Sequence, residues 1–343
     1  MSKKPSDFAA SLRDFFNHYL SETYRASGNT ISSYSYTFTL LFRFLQEEKG
    51  IPPQKVTIST FDRQLILEFL QWLEEKRGNS IATRNQRLGC IHSYFKFIQT
   101  SYPPLIVEIQ GILNIHMKKY PKSTLNYLSH DGIKLLLEKP DLSSKQGRRD
   151  LLLLTLLYDT GARVSEIINI TKGDLFLQNP ASVRVLGKGS KFRQIPLMPQ
   201  TISMLKHYLA ENRQSNMDES TQYLFVNPSG QKLTRGGVAY ILQKYCSLAR
   251  ADSPRLIPEK FSPHCLRHSK AMHLLQSGVN LIYIRDFLGH TDVVTTEVYA
   301  KADPEMKRNA LEKAYQEIAP DPRGDWQADI ELMGWLKSLN KAK

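Results

Sequence analysis

The sequence predicts a mainly α-helical protein of two domains, with one small β-sheet in the second domain. Three observations predict this fold class. Apolar residues recur at helical spacing along most of the 343 residues. Prolines 103, 104 and 121 mark a boundary about one third of the way along the chain. Alternating apolar and polar residues on both sides of a glycine-rich turn indicate a β-hairpin over residues 182–196.

Four helices are predicted in the first domain, residues 1–104. An apolar stripe that includes Phe8 and Phe15 indicates the first helix. The second begins near Asn29 or Thr30, either of which is a suitable N-cap, and ends near Gly50. Residues 61–76 and 81–98 give the third and fourth helices. Helices of this number and length form a small bundle.

Residues 105–123 are predicted to link the domains, with room for one short helix over 105–115. The second domain, residues 124–320, carries the hairpin and is otherwise helical. The expected helices cover residues 131–137, 148–160, 200–209, 235–248, 263–276, 281–288 and 293–299. A Pro-Asp-Pro-Arg-Gly break precedes a tail, residues 321–343, with a short amphipathic segment.

The charge of the chain favours a polyanionic partner. The net charge is +13 and the sequence pI is about 9.5. No apolar run approaches the ~20 residues of a membrane span, and the N-terminus lacks the apolar segment of a secretory signal. The three cysteines are odd in number and widely spaced, which indicates reduced thiols in a cytoplasmic protein.

Basic and amide side chains on several predicted elements are candidates for DNA contact. In the first domain they are Arg84, Asn85, Arg87 and Lys96, and in the second Lys191, Arg193 and Arg235. The alternative interpretation is a set of solvated helix faces.

Two pairs of residues, each one helical turn apart, are candidates for binding an anion. Arg163 and Glu166 follow Gly161, and the guanidinium offers a fork for two oxygens that the carboxylate would hold in place. His264 and Arg267 follow a Ser-Pro helix start, near the positive end of the helix dipole. The alternatives are a helical salt bridge and a surface His-Arg pair.

Three further residues have chemistry suited to attack on a phosphodiester. Lys188 lies in the glycine-flanked hairpin turn, from which it would donate a proton to a leaving oxygen. His290 follows Gly289, between two helices. Tyr299 ends the last predicted helix, and as a nucleophile it must lose a proton whose ordinary pKa is about 10. A charged hairpin tip and a packing tyrosine are the alternatives.

Taken together, these residues resemble the tyrosine recombinases, also called the phage integrase family. The similar segments are Thr-Gly-Ala-Arg-Val-Ser-Glu at 160–166, Gly-Lys-Gly at 187–189, His-Cys-Leu-Arg-His-Ser at 264–269, Leu-Gly-His at 288–290, and Tyr299. The resemblance covers residues from about 122 to 318. The four helices before it are similar to the family's core-binding (SAM-like) domain, so the resemblance implies that domain followed by a helical catalytic domain with a hairpin.

The resemblance also implies roles for individual residues. Tyr299 attacks the scissile phosphate and forms a 3′-phosphotyrosyl bond, Lys188 protonates the leaving 5′ oxygen, and His264 assists proton transfer at the tyrosine. Arg163, Arg267 and His290 hold the non-bridging oxygens, and Glu166 supports Arg163. The expected reaction uses no metal and no other cofactor, because the arginines supply the positive charge, and no ATP, because the covalent bond conserves the phosphodiester energy.

The expected partners are double-stranded DNA recombination sites and further copies of the chain, as a tetramer on synapsed DNA. The tail is expected to dock on a neighbouring protomer, and the alternative is that it packs on its own domain. An accessory protein is left open, no membrane partner is expected, and the location is the cytoplasmic nucleoid. Integration or excision of a mobile element is the first interpretation, and Xer-type dimer resolution is the second. Three alternatives from other classes are a catalytically silent DNA-binding protein, a metal-dependent nuclease that uses His264, His268 and His290, and a relaxing topoisomerase.

Overall fold

The structure is a computed structural model that describes residues 6–100, 103–121, 125–187, 191–212, 219–290, 294–302 and 330–339. Its internal contacts divide the chain into two compact units, Met1–Ser123 and Thr124–Lys343. The fold is mainly helical with one small antiparallel sheet, as the sequence predicts. Within the described residues, no helix has both the length and the apolar character needed to cross a lipid bilayer.

The first unit contains five described α-helices. They are α1 (Asp7–Asp14), which continues into a π-helical segment (Phe15–Thr23), α2 (Gly28–Lys49), α3 (Arg63–Glu75), α4 (Ile81–Gln99) and α5 (Ile106–Leu113). The predicted N-cap of α2 is wrong, because Ser27 takes that position and its hydroxyl accepts from the Thr30 backbone N–H. Gly50 ends α2 in the left-handed conformation, with φ of 64°.

Aromatic side chains fill much of the core of the first unit. The rings of Phe8, Phe15 and Phe38 surround Tyr94 at centroid distances of 5.3–5.4 Å. All four are buried, and the Tyr94 hydroxyl is satisfied by the Ser11 hydroxyl at 2.7 Å. These contacts join α1, the π-helical segment, α2 and α4 into one bundle.

Helix α5 lies in the segment where the sequence predicts a linker. Its Ile109 and Ile112, and Ile115 just beyond it, are buried in the core of the first unit. His92 of α4 also contacts the Ile112 carbonyl oxygen at 3.1 Å. The packed part of the first unit therefore extends past residue 104, because α5 supplies an apolar face that α3 and α4 cover.

The second unit contains nine described helices around a three-stranded sheet. The helices are α6 (His130–Leu137), α7 (Lys145–Thr160), α8 (Val164–Ile167), α9 (Pro199–Glu211), α10 (Arg235–Asp252), α11 (Pro263–Gln276), α12 (Leu281–Leu288), α13 (Val294–Ala302) and α14 (Ile330–Leu339). Helix α11 packs against α7, α10, α12 and α13. It therefore holds together the segments that carry most of the predicted site.

The predicted hairpin is confirmed and carries one more strand. Strands β2 (Ser182–Leu186) and β3 (Phe192–Pro196) pair antiparallel, with Val183 opposite Ile195. Val183, Val185 and Ile195 are buried, as the alternation predicts. The added strand, β1 (Leu175–Phe176), pairs with β2 and gives the order β1-β2-β3. A strand of two residues is too short to show a period in the sequence.

Candidate active site

Arg163 and Glu166 are placed by a sharp break after α7. Gly161 ends α7 with φ of 55°, and a Cβ at this position would lie 2.8 Å from a Leu288 methyl carbon, so glycine is needed there. Arg163 then caps α8. Glu166 accepts from the Arg163 backbone N–H and from its guanidinium, both at 2.8 Å. Glu166 is thus placed to support Arg163, as the sequence predicts.

A second arginine shares the same carboxylate. Arg193, on β3, donates from Nη2 to Glu166 Oε2 at 2.7 Å, and its side chain is only 14% exposed. Burial acts to raise the pKa of Glu166, but hydrogen bonds and charge from Arg193 and Arg163 outweigh it and hold the pKa below its ordinary 4.5. Arg193, predicted as a DNA contact, is thus paired with Glu166 in the structure.

Arg267 is almost completely buried, at 1% exposed. Its two terminal nitrogens donate to the backbone carbonyl oxygens of Gly161 and Leu288, each at 2.7 Å. These bonds join α11 to the ends of α7 and α12. Burial and the nearby Arg163 cation lower the pKa of Arg267 to about 10, so the guanidinium remains charged at neutral pH. A buried, fixed cation of this kind is suited to binding an anion.

His290 lies near Arg267 and Arg163, just after the end of α12. Gly289 makes the turn with φ of 66°. His290 Nδ1 is 3.0 Å from the hydroxyl of the buried Thr296 on α13. Burial, together with the Arg267 and Arg163 cations, lowers the pKa of His290 to about 4, so the ring is neutral at pH 7.

Tyr299 lies on α13 with its side chain turned into this group, at 2% exposed. Its ring is parallel to that of His290, with 6.5 Å between centroids. Its hydroxyl lies 3.0 Å from His268 Nδ1, and the Arg267 cation is nearby. Burial raises the pKa of Tyr299 above 10, although the charges of Arg267 and Arg163 oppose this effect. The protein therefore holds the tyrosine as a neutral phenol.

The partner of Tyr299 differs from the one that the sequence predicts. His264 was expected to assist the tyrosine, yet the described hydrogen bond is made by His268, one turn further along α11. The His264 side chain is exposed, and its ring meets the His268 ring edge-on at 4.4 Å between centroids. Partial desolvation and the Arg267 and Arg163 charges lower the pKa of His264. The sequence contains His268 but has no signal that separates two histidines on one face of a helix.

The structure thus brings together most of the predicted catalytic residues of the second unit. They are Arg163, Glu166, His264, Arg267, His290 and Tyr299. The prediction for Lys188 lies outside the described residues. No group of three or more His, Cys, Asp or Glu side chains suited to a metal ion occurs in the part of the chain that the structure describes.

The candidate DNA contacts fall into two groups. Lys96, Lys191 and Arg235 are exposed. Arg84 and Asn85 are 3% and 7% exposed, so the prediction of DNA contact is wrong for both. Asn85 exchanges two hydrogen bonds with the Lys118 backbone, which fixes the chain after α5 to α4. Arg84 contacts Glu74 of α3 at 3.4 Å.

Arg87 is also engaged within the first unit. Its Nη1 donates to the Ser33 carbonyl oxygen and to the Thr37 hydroxyl, each at 3.1 Å. Its guanidinium carbon lies 5.0 Å from the centre of the Tyr36 ring. The basic side chain therefore connects α4 to α2, and the sequence alone shows its charge but not these partners.

Comparison with known proteins places the chain in a family. The sequence model of the phage integrase family matches residues 126–306, which is more than half of the chain. The chain belongs to the phage integrase family. The N-terminal SAM-like domain of phage integrases matches residues 13–100. The chain is accordingly a tyrosine recombinase, an enzyme of site-specific recombination that cleaves and rejoins DNA.

Several relatives extend over almost the whole tyrosine recombinase. The integrase/recombinase y4rC of Sinorhizobium fredii is 36% identical over 98% of this chain and 99% of its own. XerD of Oceanobacillus iheyensis is 33% identical over 90% and 98%. The site-specific recombinase XerH, bound to difH in a pre-cleavage complex, matches with a TM-score of 0.64 and 25% identity over 85% of this chain and 81% of its own.

The Tn1549 transposon integrase has the same fold as this recombinase. Its structure in complex with circular intermediate DNA gives a TM-score of 0.68, over 90% of this chain and 99% of its own. Sequence identity between the two is 15%.

Proposed function

We propose that this recombinase cuts DNA by attack of Tyr299 on the scissile phosphorus, which leaves a 3′-phosphotyrosyl bond and a free 5′ hydroxyl. The observation that carries the proposal is the position of the Tyr299 hydroxyl, which is buried near the Arg267 cation and lies 3.0 Å from His268 Nδ1. A phenol is a weak nucleophile unless cations or a base stabilise its deprotonated form. This hydroxyl has both kinds of neighbour.

The phosphate would be held by Arg163, Arg267 and His290. Attack adds negative charge to the non-bridging oxygens, and fixed cations in a desolvated site stabilise that charge more than flexible ones do. Arg267 is fixed by the Gly161 and Leu288 carbonyl oxygens. Arg163 is 34% exposed at its side chain, so it is both held by Glu166 and open to a ligand.

Lys188 is proposed as the acid that protonates the leaving 5′ oxygen. Strands β2 and β3 form the hairpin, and Arg193 of β3 binds the Glu166 carboxylate. The hairpin therefore lies beside Glu166. A lysine at the turn between these strands would reach the same phosphate. This assignment rests on the sequence and on the hairpin that surrounds the residue.

Helix α10 is proposed as a DNA-contacting element of the second unit. Arg235 is exposed at its first residue, and Tyr240 and Lys244, one turn apart, are exposed further along the helix. Tyr240 is 73% exposed, which is high for a large aromatic side chain. A helix N-terminus with an exposed arginine favours phosphate or base edges. Lys96 and Lys191 would add phosphate contacts.

The active assembly is proposed to be a tetramer on two synapsed sites. Exchange of strands between two duplexes requires four cleavages, and each protomer has one Tyr299. In α14, the side chains of Trp335 and Leu339 are 58% and 57% exposed, which leaves apolar surface for a neighbouring protomer. Deletion of residues 321–343 is expected to abolish synapsis while single-site binding remains. Unchanged synapsis of the deletion variant would contradict this role.

We infer that the biological role is integration or excision of a mobile element, on DNA in the cytoplasmic nucleoid. The 36% identity with the integrase/recombinase y4rC over nearly the full length supports this role. Chromosome or plasmid dimer resolution is the second candidate, and the 33% identity with XerD relatives favours it. The DNA beside the gene distinguishes the two: element ends support the first role, and a single site in the chromosome supports the second.

A selection from random DNA tests the proposed chemistry. Tyr299→Phe protein, which is expected to bind without cutting, is used to enrich duplexes from a random-sequence library. The wild-type chain should then form a covalent adduct on the selected duplex, and Tyr299→Phe should form none. Tyr283→Phe, at an exposed position on α12, is the matched control, and it should form the adduct. An adduct with Tyr299→Phe, or no enrichment of any duplex, would contradict the proposal.

A further inference from the structure

The nucleophile's hydroxyl has a basic partner that the sequence did not assign to it. His268 Nδ1 lies 3.0 Å from the Tyr299 hydroxyl oxygen, which is a normal hydrogen-bond distance. The two rings are 5.6 Å apart between centroids and tilted by 60°. The packing of α13 against α11 fixes this geometry, since Tyr299 and His268 lie on those two helices.

The direction of this hydrogen bond follows from the burial of the phenol. Tyr299 is 2% exposed, and its hydroxyl carries a hydrogen that must find an acceptor, because an unpaired buried donor is costly. Nδ1 of His268 is the described acceptor within reach. The ring is therefore assigned as the tautomer with its proton on Nε2.

We propose that His268 is the general base of strand cleavage, which takes the phenolic proton through Nδ1 as Tyr299 attacks the phosphorus. This inference rests on the proposed function of Tyr299. In the step, the Tyr299 oxygen–phosphorus bond forms and the phosphorus–5′ oxygen bond breaks. The phenolic proton moves to Nδ1, and the leaving 5′ oxygen takes a proton from the acid assigned to Lys188. In rejoining, His268 returns its proton to the departing tyrosine oxygen.

The environment of His268 keeps its imidazole neutral, as a general base requires. Burial, followed by the charges of His264 and Arg267, lowers the pKa of His268 to about 4, so the ring is free to accept a proton at neutral pH. Tyr299 faces it from α13, and its own raised pKa makes spontaneous ionisation rare. As the oxygen bonds to phosphorus the phenolic proton becomes far more acidic, and a positioned base then removes it.

His264 is less suited to the same step. It is exposed, and its described contact in the site is with the His268 ring, at 4.4 Å between centroids. Its position beside Arg163 and Arg267 is that of a residue facing the phosphate. The two histidines, one helical turn apart, therefore make a matched pair for experiment.

The test compares substitutions at both positions on the duplex selected with Tyr299→Phe. Single-turnover adduct formation is measured for His268→Leu, His268→Asn and His264→Leu. Loss of a general base should slow His268→Leu by about 10²–10³-fold. His268→Asn should slow adduct formation less, because its amide oxygen can occupy nearly the same position as Nδ1 and accept a hydrogen bond. His207→Asn, exposed on α9, is the neutral control.

Two readouts separate a proton-transfer role from a structural one. A fluorinated tyrosine at position 299 has a more acidic phenol, so it should restore much of the rate lost in His268→Leu and little of any loss in His264→Leu. A substrate with sulfur in place of the leaving 5′ oxygen needs no acid, so it should rescue Lys188→Ala but not His268→Leu. Should His268→Leu fail to fold, the same comparisons apply to His268→Asn.

Adduct formation at the wild-type rate by His268→Leu and His268→Asn would overturn the inference and leave the role of Tyr299 intact. Failure of the fluorinated tyrosine to rescue either variant would also overturn it, because a positioning effect alone would then explain the loss. If the wild-type chain forms no adduct on the selected duplex, the proposed function itself fails. The outcomes are therefore distinguishable.

Discussion

Replacement of Glu166 by glutamine should both destabilise the second unit and slow DNA cleavage. The carboxylate is 5% exposed and accepts three described hydrogen bonds, two from Arg163 and one from Arg193. An amide has one acceptor oxygen, so its NH₂ group must face at least one of these donors. Two guanidiniums are then left without their counter-charge in a largely buried place.

The size of the effect follows from these contacts. Removing one partner of a buried ion pair costs about 3–5 kcal/mol, and Arg163 can recover part of this by hydration, so we expect about 3 kcal/mol for Glu166→Gln. In a unit of this size, each kcal/mol lowers the melting temperature by about 2–4 °C, which gives a decrease of about 6–12 °C. Displacement of the Arg163 guanidinium by about 1 Å should slow cleavage by about 10²-fold.

Scanning calorimetry and single-turnover adduct formation on the selected duplex measure the two effects. Glu211→Gln is the matched control, since Glu211 also pairs with an arginine but at a more open position, and its melting temperature should stay near that of the wild type. DNA affinity should change little in Glu166→Gln. A variant that melts and cleaves like the wild type would refute the assigned support, and loss of binding alone would indicate a direct DNA contact.

Three further changes test other parts of the account. Arg267→Lys keeps the charge but cannot bridge the Gly161 and Leu288 carbonyl oxygens, so adduct formation should fall by about 10²–10³-fold; normal cleavage would reject the fixed-cation role. Asn85→Ala should lower unfolding free energy by about 1–3 kcal/mol without changing the salt dependence of DNA binding, whereas Lys96→Ala should reduce that salt slope by about one; the reverse pattern would contradict the buried position. Stability should also fall as the pH drops from 6.5 towards 4, because burial lowers the pKa of His268, His290 and His273 to about 4. Unfolded imidazoles then bind protons that the folded ones do not, and melting temperatures that stay constant across this range would contradict it.

Much of the fold could be predicted because its signals are local. The start of α11 follows from Ser262-Pro263, where a cap precedes a proline at the first helical position. The hairpin follows from alternation about a glycine-rich turn. The packing of α5 on the first core could not be predicted, because eight apolar-rich residues after a proline pair do not show which surface covers them.

The candidate site likewise has features that the sequence predicts and features that depend on tertiary packing. Local sequence boxes identify Arg163, Arg267 and Tyr299, but the partner of the tyrosine depends on how α13 docks on α11. That docking selects His268 rather than His264, although both lie on one side of the same helix. The sequence likewise shows the charge of Arg193 but not its burial against Glu166. Tertiary contacts, rather than residue types, decide these assignments.

Peptide mapping of the protein–DNA adduct tests the central claim most directly. The wild-type chain is trapped on the selected duplex, the DNA and protein are digested, and the remaining nucleotide is located by mass spectrometry. We expect a nucleotide joined through its 3′ phosphate to the peptide that contains Tyr299. A nucleotide on any other residue, or a 5′ linkage at Tyr299, would contradict it.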